Sequence, residues 1–248
     1  MRLLLIVVAA LWGAGAGSLL PRAAHRFSVG EEEPWRGVCP GGHPITGMLG
    51  GWVGPARCTS EAAGCGPYGP GTPAVTTVTA VVCAALAAAT GPRPEAVVWL
   101  LVAPFGVLLA LVDHRVHRLP DLLTLPLAAA TAALLGLAAL LPAAAGSWPT
   151  ALLGGLALGA AYFVLFLLNP AGMGFGDVKL ALALGAALGW YGWPVLIAGG
   201  FAGLVYGAVY GLALVVLGRA RRGSAIPLGP FMLGGALTGL LLGAFTAA

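Results

Sequence analysis

The chain has 248 residues, of which 59% are hydrophobic and only 8% are charged, whereas a soluble domain of this size usually carries about 25% charged residues. This shortage of polar side chains excludes a water-soluble globular protein, and the mean hydropathy of +0.96 agrees with that. The net charge of +4 is not concentrated on a soluble domain, which argues against a protein that binds nucleic acid.

Eight apolar stretches, rich in Leu and Ala and without period-2 alternation, follow one another along the chain. Because a backbone inside lipid must satisfy its own hydrogen bonds, these stretches predict membrane-spanning helices. The predicted fold is therefore all-α, a polytopic membrane bundle of about eight helices with a short irregular cytoplasmic insert after the first. The predicted spans are 3–21, 75–91, 96–112, 122–141, 149–168, 178–190, 194–217 and 226–246.

The first stretch has two interpretations, because Met1-Arg2 followed by an apolar run also resembles a cleaved signal peptide. With an uncleaved helix and an outside N-terminus, ten basic residues fall on the inner side and only Arg2 and Arg93 on the outer side. Such a bias is typical of membrane proteins, and a cleaved signal would invert it. We therefore predict a first helix over 1–21, an insert over 22–74 and a seven-helix domain over 75–248.

The insert is rich in Gly and Pro and carries the acidic run Glu31-Glu32-Glu33. Its few apolar residues predict a small core that is unstable without a disulfide, a bound metal or support from the membrane. Three cysteines and one histidine could form a tetrahedral zinc site, although two of the cysteines are widely spaced; unligated thiols in a flexible loop are the alternative. The four candidate ligands are Cys39, His43, Cys58 and Cys65.

The chain contains three aspartates, and all of them lie at span ends on the predicted cytoplasmic side. An ionisable residue at the membrane level is costly, so it indicates function by default. Asp121 and Asp177 precede helices, where a carboxylate is also favoured by the helix dipole, so capping is an alternative for both. Asp113 ends a helix, where the dipole disfavours an anion; an ion pair with Arg115 or Arg118 is the alternative there.

Two stretches surround these aspartates: Asp113-His-Arg-Val-His-Arg-Leu-Pro-Asp121-Leu-Leu-Thr124-Leu-Pro126 and Gly172-Met-Gly174-Phe-Gly176-Asp177-Val-Lys179. The glycines permit positive φ and the close approach of another chain, as a peptide substrate requires. For Lys179 we expect an interfacial position near lipid phosphates, with orientation of Asp177 as the alternative. His114 and His117 are expected to be simple edge residues rather than metal ligands.

Both stretches resemble the motifs of the prepilin peptidases, also called type IV leader peptidases. In that family an Asp is followed eight residues later by the Asp of a Pro-Asp-x-x-Thr-x-Pro-like stretch, and a Gly-x-Gly-Asp motif comes later in the chain. Shorter matches are Gly17-Ser18-Leu in the first span and Ile226-Pro-Leu-Gly-Pro230-Phe in the last. The resemblance covers most of the chain from Val97 onward. It implies a catalytic pair, Asp113 and Asp177, supported by Asp121, Thr124, Gly174, Gly176 and Lys179.

The resemblance implies an aspartic endopeptidase that removes the short basic leader from type IV prepilin or pseudopilin precursors at the cytoplasmic face of the inner membrane. Its partners would be these precursors and membrane lipid. The peptidase would need no cofactor, because two carboxylates that share a proton can activate water. Many bifunctional relatives carry two zinc-binding Cys-x-x-Cys pairs and methylate the new N-terminus with S-adenosylmethionine. This chain departs from that cysteine pattern, which leaves zinc and methylation open.

Three other functions compete with this interpretation. A proton- or cation-coupled transporter using the same aspartates would place carboxylates at mid-membrane, whereas all three here lie at span ends. A presenilin-like protease shares Gly-x-Gly-Asp but usually has Tyr-Asp where this chain has Val112-Asp113. A structural membrane scaffold does not explain why the three aspartates occupy two motif stretches.

Overall fold

A computed structural model describes residues 2–30, 33–58, 65–170, 172–219 and 226–247. Within these ranges the chain forms eight long helices and one short one, with two isolated β-bridges in the insert. The predicted all-α class is confirmed, and each predicted span falls on one long helix. The helices are α1 (Arg2–Phe27), α2 (Met48–Gly51), α3 (Thr72–Thr90), α4 (Pro94–Val116), α5 (Asp121–Ala139), α6 (Trp148–Leu168), α7 (Phe175–Gly189), α8 (Trp193–Val216) and α9 (Gly229–Thr246).

Proline sets the start of five of the long helices, since α3, α4, α6, α8 and α9 all carry one in the first turn. A missing N–H costs no hydrogen bond there, and the fixed φ of proline suits a helix. The end of α4 is set by His117, which has a φ of 49° and donates its backbone N–H to the carbonyl of Asp113 at 2.8 Å. This left-handed residue ends the helix just before the chain enters α5 at Asp121.

Hydrogen bonds between chain segments identify the two ends of the bundle. At the end that carries the aspartates, which we call the aspartate end, Gly229 donates to Asp113, Lys179 to Asp121 and Arg118 to Gly30. At the opposite end Arg2 donates to Ala88, Arg93 to Ala244 and Ser147 to Trp190. All eight long helices therefore run between the same two ends.

The helix α7 is shorter than the others and more buried. Among the described residues, seven helices are long and apolar enough to cross a membrane; α7, with 15 residues, is not one of them and spans only about 22 Å. It packs against α5, α6 and α9, and nearly every residue from Val178 to Gly189 is buried. Gly154 permits the close approach of α6, since a Cβ there would lie 2.6 Å from the carbonyl oxygen of Gly185. Protein therefore surrounds α7, so it needs no long lipid-facing surface.

The insert is attached to the aspartate end through α1, which continues to Phe27 instead of ending near residue 21. The guanidinium of Arg22 donates to the carbonyl of Thr46 at 2.9 Å, and that of Arg26 donates to Gly50 at 2.8 Å and lies over the ring of Trp52. The insert's own buried core is small, as its composition predicts, and consists of Cys39, Ile45, Ala56 and Tyr68.

Candidate active site

Asp113 is buried in the last turn of α4, with 4% of its surface exposed. Its Oδ2 accepts a hydrogen bond from the backbone N–H of Gly229, the first residue of α9, at 2.9 Å. The positive end of the α9 dipole thus faces a carboxylate that its own helix end would disfavour. The alternative of an ion pair with Arg115 or Arg118 is wrong, because within the described ranges the one salt bridge joins other residues and Arg118 donates to the carbonyl of Gly30.

Asp177 is buried in the first turn of α7, with 7% of its surface exposed. Its Oδ2 accepts the backbone N–H of Gly174 at 3.2 Å, so it does cap the helix. Its Oδ1, however, is buried and has no hydrogen-bond partner in the described part of the chain. The carboxylate of Asp113 is buried at the same end of the bundle. Capping alone therefore does not account for this side chain.

Gly174 and Gly176 do not use the positive φ that glycine permits. Gly174 has a φ of −74° and Gly176 lies within α7, so neither adopts positive φ. Gly176 is needed for close packing within the chain: a Cβ there would lie 2.8 Å from the Cβ of Leu119. This contact joins the loop after α4 to the start of α7, and so holds the two motifs together.

Lys179 is not directed to lipid phosphates as predicted. Its Nζ lies 2.6 Å from Oδ1 of Asp121 and 4.8 Å from the centre of the Phe175 ring. Asp121 is the first residue of α5, where the helix dipole favours a carboxylate, but the helix start has no side-chain capping hydrogen bond and Asp121 forms this ion pair across to α7. Thr124 is buried, and its hydroxyl donates to the carbonyl of Pro120 at 3.3 Å. His114 and His117 are both exposed at the end of α4.

A second cluster lies in the insert, where four potential metal ligands converge within 4.8 Å of one another. The Sγ of Cys39 lies 3.6 Å from Nδ1 of His43, 3.7 Å from Sγ of Cys58 and 3.6 Å from Sγ of Cys65. Tetrahedral zinc, with Zn–S near 2.3 Å and Zn–N near 2.0 Å, sets its ligand atoms about 3.5–3.8 Å apart. The donor types and most of the spacings fit such an ion.

Hydrogen bonds within this cluster change the acidity of two thiols in opposite directions. Burial disfavours the Cys39 thiolate, but hydrogen bonds from the backbone and ring of His43 outweigh it and lower the pKa of Cys39 to about 6. The hydrogen bond with Cys58, together with burial, raises the pKa of Cys65 to about 12. The thiols of this cluster therefore titrate as a coupled set, and the first proton is lost more easily than from an isolated cysteine.

Sequence reasoning missed the role of Gly229 and the ion pair between Lys179 and Asp121. The stretch from Ile226 to Phe231 resembles the family, but its residue types do not identify Asp113 as the side chain that its backbone N–H meets. The Gly229-Pro230 pair was a usable signal, because proline favours the first turn of a helix and a helix N-terminus attracts anions.

Comparison with known proteins places both motifs within one family. A model of the type IV leader peptidase family matches residues 100–212. A protein of Aeromonas hydrophila named "Prepilin leader peptidase/N-methyltransferase" is 34% identical over 208 residues, covering 79% of this chain and 68% of that protein. Proteins of the same name from Burkholderia pseudomallei (strain 1026b) and Pseudomonas aeruginosa are 37% and 34% identical, covering 57% and 54% of this chain and 46% and 45% of theirs. No solved structure matches the chain.

Proposed function

This chain belongs to the type IV leader peptidase family, and we propose that it is an aspartic endopeptidase whose catalytic pair is Asp113 and Asp177. The observation that carries the proposal is two buried carboxylates at one end of a membrane bundle, each held by a backbone N–H. One oxygen of Asp177 is buried without a protein partner among the described residues. A buried carboxylate with a purely structural role normally has hydrogen-bond partners for both oxygens, whereas a catalytic carboxylate can bind water or substrate through the oxygen that has none.

The mechanism follows from the chemistry of neighbouring carboxylates. Two of them in one buried site cannot both ionise cheaply, so the pair holds one proton between them. The ionised member takes a proton from the attacking water, whose oxygen bonds to the scissile carbonyl carbon, while the protonated member donates a hydrogen bond to the carbonyl oxygen. The C–N bond then breaks, and the pair gives a proton to the leaving amine. The backbone N–H groups of Gly229 and Gly174 hold the two side chains in place. The acid and base roles belong to the pair as a unit.

We extend the substrate named for the relatives to this chain: a type IV prepilin or pseudopilin precursor with a short basic leader. The cut would fall at the cytoplasmic face of the inner membrane. Charge supports this orientation, because cytoplasmic loops are enriched in Lys and Arg. The described basic residues at the aspartate end and in the insert attached to it are Arg22, Arg26, Arg36, Arg57, Arg115, Arg118, Lys179 and Arg219, against Arg2 and Arg93 at the opposite end.

The catalytic pair is tested by co-expression with a prepilin and measurement of leader loss by gel shift. Asp113→Asn and Asp177→Asn keep the side-chain shape but remove the shared proton chemistry, so cleavage should fall by about 10²- to 10⁴-fold. Asp121→Asn is the matched control and should fall far less. If either of the first two variants cuts like wild type, the catalytic pair is misassigned. If wild type cuts no prepilin, the transporter hypothesis comes forward.

We also propose that the insert binds one zinc ion through Cys39, His43, Cys58 and Cys65. The convergence of four such donors within 4.8 Å supports this. With four protein ligands no coordination position stays open, so the ion would stabilise the insert and supply no chemistry to the cleavage.

Metal analysis of the purified full chain tests the zinc proposal. We expect about one zinc per wild-type chain and loss of the ion in Cys58→Ser and Cys65→Ser, because each variant removes a ligand. Cys83→Ser is the matched control, since Cys83 is buried in α3 outside this cluster, and it should keep the ion. A wild-type protein purified without chelator that holds no zinc would contradict the proposal.

The relatives are also named as N-methyltransferases, an activity that would require S-adenosylmethionine. For this chain, methylation of the new N-terminus stays a prediction from the resemblance. Adding S-adenosylmethionine to the cleavage assay and weighing the product by mass spectrometry would detect it.

A further inference from the structure

One face of α1 carries large apolar side chains that no other part of the chain covers. Leu4, Val8, Leu11 and Leu19 share this face, because they follow one another at helical spacing, and all four are exposed. The opposite face packs closely against α3, since a Cβ at Gly13 would lie 2.6 Å from a backbone oxygen of that helix. In a helix long enough to span a membrane, the exposed apolar face is the one that contacts lipid.

The insert docks on this same face, directly after Leu19. Arg22 and Arg26 are three and seven residues further along α1 and so continue the face, and their guanidinium groups donate to carbonyls on the two sides of α2. Gly54 adds two backbone hydrogen bonds, donating to the carbonyl of Leu19 at 2.8 Å and accepting the N–H of Arg22 at 3.1 Å. The turn α2 therefore lies on the lipid-facing side of α1, beside a segment that rises by only about 10 Å from Leu19 to Arg26.

This turn presents two large apolar side chains outward. Met48 is 68% exposed and Leu49 is 77% exposed, which makes them the most exposed large apolar side chains in the described part of the insert. Leu49 also has a φ of 49° and a ψ of 44°, a left-handed conformation that glycine adopts easily and a large side chain seldom does. A leucine held in this conformation and left exposed indicates a use for its side chain.

We infer that Met48 and Leu49 insert into the bilayer leaflet at the aspartate end, at the border between headgroups and acyl chains, and so anchor the insert to the membrane surface. Lipid is the occupant because the pair continues the lipid-facing side of α1. The neighbouring side chains suit this depth: Arg26 ends the helix and lies 4.0 Å from the centre of the Trp52 ring. Tryptophan is enriched at membrane interfaces, and long cationic side chains reach from there to the headgroups.

Anchoring at this turn would act on the core of the insert. Gly51 packs against the backbone of Ile45, which belongs to the same small buried core as Cys39. A turn fixed in the interface would therefore hold this core, and the four clustered Cys and His side chains, at a constant depth beside the aspartate end. It would also give the insert the support from the membrane that its composition calls for.

The test is photo-crosslinking of the full chain in vesicles of phosphatidylcholine and phosphatidylglycerol. The photoreactive residue p-benzoyl-phenylalanine replaces Met48 or Leu49, one at a time, and lipid adducts are counted by mass spectrometry after irradiation. Replacement of Leu11 is the positive control, because this residue lies on the lipid-facing side of α1. Replacement of Glu33 is the negative control, because it is an exposed, charged residue of the insert. All four positions are exposed, so the replacements should leave the fold intact, which thermal unfolding checks.

Lipid adducts at Met48 or Leu49 should reach within about threefold of those at Leu11 and exceed those at Glu33 by about 10-fold or more, since an interfacial side chain contacts acyl chains. This result at either position supports the anchor. The inference is overturned if neither position forms more lipid adducts than Glu33. It is also overturned if both positions crosslink to a second protein chain instead of lipid, because the exposed turn would then be a protein interface.

Discussion

At the residue scale, the aspartates are held by groups that differ in kind. Asp113 and Asp177 are buried and accept backbone N–H groups, whereas Asp121 is 62% exposed and pairs with the cation of Lys179. An ion pair this exposed contributes at most about 1 kcal/mol to stability. It does, however, join α5 to α7 two residues beyond Asp177, so its effect should be on the geometry of the proposed catalytic pair.

Removal of the ion pair between Lys179 and Asp121 should slow cleavage without unfolding the protein. Lys179→Met and Asp121→Asn should each lower kcat by about 10-fold, since displacements near 1 Å can cost up to 10²-fold. Because both changes remove one interaction, the double variant should be no slower than the slower single variant. Steady-state kinetics on purified protein, together with thermal unfolding as the control for folding, would check this. Losses that multiply in the double variant would show that the two side chains act independently.

At the element scale, the sequence predicted eight helices well because hydropathy and helix length are local properties. It predicted less about contacts, which depend on the whole bundle. The glycines of the second motif permit positive φ, yet Gly176 is helical and makes room for Leu119. The α9 N–H that reaches Asp113 comes from 116 residues away, a distance that no local pattern spans. The wide spacing of Cys58 and Cys65 likewise concealed how closely the four metal ligands converge.

At the scale of the whole molecule, the eight long helices run between two ends that differ in charge. Whether α7 crosses the membrane decides on which side Arg219 lies. If α7 did not cross, the chain would have only seven crossings, and Arg219 would lie on the opposite side from Asp113. The end of α8 instead lies at the aspartate end, since α8 starts beside Trp190 at the other. The basic residues therefore gather at the aspartate end, and the positive-inside tendency predicts that this end faces the cytoplasm.

This orientation predicts the accessibility of two engineered thiols. Ser147 lies at the end opposite the aspartates and Arg219 follows α8 at the aspartate end, and both are exposed. In right-side-out vesicles a membrane-impermeant maleimide should label the thiol of Ser147→Cys and spare that of Arg219→Cys, because the bilayer blocks the reagent. Inside-out vesicles should give the reverse, and detergent should expose both thiols as a control. Peptide mass spectrometry distinguishes each site from the four native cysteines. Labelling of Arg219→Cys from the outside would contradict a cytoplasmic catalytic pair, whatever the outcome of the cleavage assays.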